Sequence, residues 1–103
     1  MPTEYKVEIT RSAEIDVAEI WTYITEDSIE NATGFVAELE HSVGALARFP
    51  QRCPSIPENK ILGTDYRHLL SGDYRVIFRL AGATVFVLRI VHGNRLLDAS
   101  FFG

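Results

Sequence analysis

The chain has 103 residues, 47% of them apolar and 23% charged, with a formal net charge of −4. That composition excludes a disordered chain and leaves room for one compact core, so residues 1–103 are read as a single domain. The sequence pI near 5.3 suits poorly a protein that works inside dense phosphate, and a lone Cys53 excludes an internal disulfide.

Tyr5 to Thr10 alternates apolar and polar, with Tyr5, Val7 and Ile9 on one face, the pattern of a half-buried strand. Ser12 then stands where an N-cap is expected, with Glu14 and Asp16 in the first turn. Ala13, Val17, Ile20, Trp21 and Ile24 form one apolar stripe. Ser28 caps a second helix whose stripe is Ala32, Phe35, Val36, Leu39, Val43 and Leu46. The short link makes the two an antiparallel hairpin, spanning about 12–27 and 29–48 with boundaries good to about two to four residues. Gly44 weakens the second helix and is read as a place for close packing.

Pro50, Pro54, Pro57 and Gly63 argue against regular structure between Gln51 and Asp65. Tyr66–Leu70, Tyr74–Leu80 and Thr84–Val91 read as three strands joined by turns at Ser71-Gly72-Asp73 and Ala81-Gly82-Ala83. In the middle strand Tyr74, Val76, Phe78 and Leu80 should face the helices, and Arg75, Ile77 and Arg79 should face away. Gly93-Asn94 breaks the last strand, and a tail ends in Phe101-Phe102.

The order β-α-α-β-β-β predicts an α+β fold: a helical hairpin on one face of a mainly antiparallel four-stranded sheet. The first strand is free to join at an edge or between meander strands, and a parallel pairing with the last strand is open to it. Trp21, Phe35, Leu39, Val76, Phe78 and Leu88 are the expected core. No run of eighteen apolar residues and no leader-like start occur, so a cytoplasmic protein without membrane contact is expected. No zinc-ligand spacing or other cofactor motif is present.

Charge is divided unevenly. Residues 1–50 hold three Lys/Arg against ten Asp/Glu, net −7; residues 51–103 hold seven against four, net +3. The cations of the basic half are Lys60, Arg67, Arg75, Arg79, Arg89 and Arg95, with Arg52 in the proline-rich stretch and His92 beside the strands. Arginine presents a planar fork suited to carboxylate or phosphate.

The segments YKVEITRSAEIDVAEIWTYI, YRHLLSGDYRVIFRL and VLRIVHGNR resemble the RelE/ParE superfamily, the toxins of type II toxin–antitoxin modules, over roughly residues 4–98. Asp16, Trp21, Tyr74-Arg75 and the His92-Gly-x-Arg95 ending carry the likeness. The resemblance implies either a ribosome-dependent mRNA endoribonuclease, as in RelE-like members, or a poison of DNA gyrase, as in ParE-like members. It also implies a cognate antitoxin whose flexible, often acidic segment folds over the toxin. The His-Gly-x-Arg ending and the long helical hairpin are closer to ParE. In that reading there is no catalytic residue and no cofactor, nucleic acid is met only through gyrase, and Arg67, Arg75, Arg79, Arg89, His92 and Arg95 contact partners. In the nuclease reading His92, Arg75 and Arg95 would be catalytic. The family's nucleases usually place a tyrosine near the C-terminus, and this chain has none after Tyr74.

Overall fold

The computed structural model describes residues 4–102. Strand β1 (Lys6–Ile9) leads into helices α1 (Arg11–Thr25) and α2 (Ile29–Ala45). A loop with a short helical turn, α3 (Asn59–Leu62), precedes β2 (Arg67–Ser71), β3 (Tyr74–Ala81) and β4 (Thr84–His92). The sheet order is β1-β4-β3-β2. β2-β3-β4 is the expected antiparallel meander, and β1 lies parallel to β4, with Lys6 opposite Thr84 and Ile9 opposite Val87. The sheet is therefore mixed. Both hairpin turns are two residues long, and Gly82, at φ +61, supplies the positive φ that a tight hairpin favours.

Helix α1 begins two residues earlier than its sequence indicates. Thr10, not Ser12, is the N-cap: its Oγ1 accepts from the Ala13 amide at 3.3 Å and donates to the Val87 carbonyl at 2.9 Å. One side chain thus starts the helix and ties it to β4. Ser28 caps α2 as expected, accepting from the Asn31 amide. The proline-rich stretch is not wholly irregular: Pro50–Arg52 makes one 3-10 turn and Asn59–Leu62 one α turn.

The main core lies between the helices and the sheet. Leu39, Val76 and Phe78 are buried there with Val85, Val87 and Ile90, and Phe35 packs against it half-buried. Two expected core residues are misplaced by the sequence reading. Trp21 is 42% exposed, because one position beyond Ile20 turns it about 100° round the helix, to the edge of the stripe. Leu88 is the extra residue of a bulge: Ile77 pairs with Arg89 and Phe78 with Val87, leaving Leu88 unopposed. The bulge turns Leu88 out of the core and lets Ile90 point in. On the opposite sheet face a second cluster forms, where Ile77, Val91 and Leu97 are covered by Tyr66, Phe101 and Phe102. β3 thus keeps its predicted alternation.

Gly44 does not serve close packing, since a Cβ built on it meets nothing within 4 Å. Gly44→Ala is therefore expected to stabilise the fold by about 0.5–1 kcal/mol, read as a higher urea midpoint at unchanged slope. No helix among the described residues is long and apolar enough to cross a membrane.

Candidate functional site

The outer face of the sheet, away from the helices, carries three of the predicted arginines. Strand alternation sends Arg75 and Arg79 to that face of β3, and the β4 bulge sends Arg89 there. They do not stand equally free.

Arg75 is only 5% exposed. Its Nη2 donates to Glu58 Oε2 at 2.7 Å and to the Arg95 carbonyl at 3.0 Å. Its Nη1 donates to Glu58 Oε1 at 3.2 Å and lies 3.2 Å from His68 Nδ1. This is a two-pronged buried ion pair with one buried atom, Arg75 Nε, left without a partner. Asn59 prepares the loop for it: its amide donates to the Tyr66 carbonyl, and its oxygen accepts from the Tyr66 amide and the Thr64 hydroxyl. Glu58 is thereby held facing β3. The hydrogen bonds from Arg75 hold the Glu58 carboxyl below its usual range, overcoming the opposing effect of burial. Burial, and then the Arg75 charge, lower the pKa of His68, which favours the neutral ring that accepts from Arg75.

Arg89 is engaged in the same way at the other end. Its Nε and Nη2 donate to the two oxygens of Asp16 at 2.7 and 2.8 Å, and its Nη1 donates to the Phe101 carbonyl at 2.8 Å. Asp16 also accepts from the Ile90 amide at 2.9 Å. Asp16 therefore does not act as a first-turn dipole residue; it is buried on the inward face of α1 and joins helix to sheet. The bond to Asp16 raises the Arg89 pKa further above an already high value. Two guanidiniums lie over the Phe101 ring, that of Arg89 at 4.6 Å and that of Arg95 at 4.4 Å from its centroid.

The remaining residues are more open. Arg79 is exposed and covers the Phe86 ring at 4.5 Å. Arg67 is half-buried, and its Nη1 donates to the carbonyls of Gln51 and Cys53, pinning the proline-rich loop. Lys60 is exposed on α3 and forms no ion pair among the described residues. His92 is exposed, and its Nδ1 accepts from the Asn94 amide at 3.2 Å, which leaves the proton of the neutral ring on Nε2. Gly93 follows because the chain passes close to the neighbouring turn. Its amide donates to the Asp73 carbonyl, and an added Cβ would come within 3.2 Å of that oxygen.

Three predicted residues, Arg89, His92 and Arg95, meet Asp16, Glu19 and Tyr74 around one concavity of about 200 Å³. Arg67, Arg75, Arg79 and Lys60 lie outside its lining. Tyr74 was missed by the sequence reading, which sought a tyrosine after it in the chain. The antiparallel register sets Tyr74 directly opposite His92, with the rings 5.7 Å apart and edge-to-face. Burial raises the Tyr74 phenol pKa, with Asp73 adding to the effect. Among the described residues no group of three or more His, Cys, Asp or Glu comes together to hold a metal ion.

The fold has solved counterparts. The chromosomal ParDE toxin–antitoxin system from P. aeruginosa includes a chain that superposes with a TM-score of 0.68 at 20% identity, over 88% of this chain and 98% of that one. A chain of the toxin–antitoxin complex RelBE2 from Mycobacterium tuberculosis superposes with a TM-score of 0.56 at 24% identity, over 86% and 98%. No curated protein matches the sequence significantly. The family described as ParE toxin of type II toxin–antitoxin systems, parDE, matches residues 7–97, a span that holds both ion-paired arginines, their carboxylates and the His92–Arg95 turn. The chain belongs to the ParE toxins of type II toxin–antitoxin systems.

Proposed function

We propose that this toxin acts by binding DNA gyrase rather than by cutting RNA, and that a cognate antitoxin holds it silent. The observation that carries the first part is the engagement of Arg75 and Arg89. Both forks face internal carboxylates at 2.7–3.2 Å, so neither is placed to stabilise charge on a scissile phosphate. On this reading Arg79, His92 and Arg95 contact the partner, while Arg67, Arg75 and Arg89 shape the surface that it meets. Family membership, and the fold shared with chains of two toxin–antitoxin complexes, support the antitoxin. Co-expressing the product of the neighbouring reading frame should relieve growth arrest and co-purify with the toxin. Failure on both counts removes the antitoxin from the account.

One observation favours an mRNA endoribonuclease as the second reading. His92 and Tyr74 share a cleft with Arg95, and a nuclease of this kind needs proton-transferring groups beside a cation. His92→Ala separates the two. A nuclease that uses this ring should lose roughly 100-fold or more in cleavage rate. The gyrase reading expects no ribosomal cleavage from either form, and any loss of growth arrest on substitution to follow weaker gyrase binding.

A further inference from the structure

The buried pair Glu58–Arg75 ties together three segments that carry exposed apolar residues. Among the described residues, three of the five most exposed large apolar side chains belong to them: Ile61 at 88%, Leu96 at 86% and Leu70 at 65%. Glu58 is the N-cap of α3, and Ile61 lies three residues beyond it. Arg75 Nη2 donates to the carbonyl of Arg95, the residue before Leu96. Leu70 stands directly opposite Arg75 in the β2–β3 register, so the two share the outer face with Cβ atoms about 5 Å apart. One ion pair thus holds a helical turn, a strand and the tail in fixed relation.

Packing gives no reason for the three residues. None takes part in either apolar cluster. α3 buries no residue, and of the pair Leu96-Leu97 it is Leu97 that joins Ile77 and Val91. A single exposed aliphatic needs no explanation, whereas several on segments that meet at one support mark a contact surface. The charge around them is cationic. Residues 59–62, 68–71 and 94–97 contain Lys60 and Arg95 and no Asp or Glu. Both cations are exposed and form no ion pair among the described residues. Glu58 is matched by Arg75, and Asp98, next along the tail, accepts from the Ser100 amide and hydroxyl.

We propose that Ile61, Leu70 and Leu96 form the surface with which this toxin seats on its target, and that the target meets it with apolar side chains ringed by carboxylates. The apolar anchors supply affinity, and Lys60 and Arg95 supply orientation. The inference deepens the gyrase reading and rests on it for who the partner is. It gives the buried pair a second task. Glu58 and Arg75 set the spacing of the anchors in advance, so little freedom is lost in ordering them on binding.

Ile61→Ser/Leu96→Ser alters only exposed side chains and should unfold at the wild-type urea midpoint. Wild type and variant are compared at full length for binding to purified gyrase and for inhibition of its supercoiling. The variant should require at least about 10-fold more protein for half inhibition. Lys60→Glu keeps the anchors, and it decides the matter if the double variant proves unstable. It should bind more weakly than wild type at low salt, and the difference should shrink as salt rises. The proposal is overturned if the double variant inhibits gyrase as wild type does, or if Lys60→Glu binds as well at low salt. It is also overturned if the double variant loses only self-association or only co-purification with the antitoxin. A wild type that leaves gyrase unaffected removes the target and, with it, the partner assigned to this surface. That result is read from wild type alone, so it is distinct from a failure of the surface on an active toxin.

Discussion

Glu58→Ala is expected to destabilise the protein by about 3–5 kcal/mol, the cost of leaving one member of a buried ion pair alone. Arg75 would stay almost wholly buried with only the Arg95 carbonyl and His68 near it, and its Nε already lacks an acceptor. Small domains are stable by about 5–15 kcal/mol, so this loss is a large fraction of the total. Urea unfolding followed by Trp21 fluorescence measures it. The double variant Arg75→Met/Glu58→Leu should recover most of the loss, because removing both charges also removes their desolvation cost. A Glu58→Ala change below about 1 kcal/mol would place the pair in the class of surface salt bridges and refute the reading.

The same pair sets a pH dependence. The Glu58 carboxyl is held below its usual range in the folded state. Its contribution is therefore complete above the unfolded carboxyl's pKa and is lost as pH falls through the folded one. His68 is also lowered, so the unfolded chain takes up that proton first, and stability again falls toward acid. Both groups act in the same direction, and wild type should lose stability more steeply than Glu58→Ala as pH falls through the carboxyl range, since the variant keeps His68 and lacks only the carboxyl.

Asp16→Ala is expected to cost about 3 kcal/mol, the lower part of the same range, because the Arg89 side chain is 22% exposed and water can reach part of the charge left behind. The loss should also have a location. Asp16 holds Arg89 Nε and Nη2 and the Ile90 amide, and Arg89 holds the Phe101 carbonyl and lies on its ring. Without Asp16 the fork is free to swing, and the contact of the tail with the outer face weakens. Amide exchange at Phe101 and Phe102 should quicken in Asp16→Ala at conditions where Leu39 and Phe78 stay protected. Asp16→Asn keeps an acceptor for Ile90 and should fall between the two. Equal quickening in the core and the tail would mean that Asp16 supports the whole fold rather than the tail.

The fold was legible where a pattern is local. β3 keeps its alternation through the apolar run Val76-Ile77-Phe78, and each of its side chains from Tyr74 to Leu80 lies on the face its spacing assigns. β4 hid its bulge in an apolar run from Val85 to Leu88, and the one signal of the slip is Arg89, which strict alternation with Val85 and Val87 would have placed in the core. The parallel β1–β4 pairing has no turn between its strands to announce it. Trp21 shows the limit of reading a stripe from hydrophobicity alone, since a large apolar residue at the stripe's margin counts like one at its centre. The outer-face arginines were legible as a group, but their partners were not. Asp16 had a signal: it lies three residues after Ala13 and four before Ile20, on the buried side of the helix, where an unpaired carboxylate would be costly. Glu58 had none. It sits in a proline-rich loop, and its partner is 17 residues away across the sheet. Tyr74 and His92 come together through hairpin register, which follows only once the turn and the bulge are both fixed.

The account turns on what the toxin acts upon. Purified protein is added to gyrase, ATP and plasmid in one reaction and to programmed ribosomes in another. It predicts lost supercoiling or accumulated double-strand breaks in the first and intact mRNA in the second. Codon-dependent cleavage in the ribosomal A site, with gyrase unaffected, would contradict it and make His92, Tyr74 and Arg95 the candidates for catalysis.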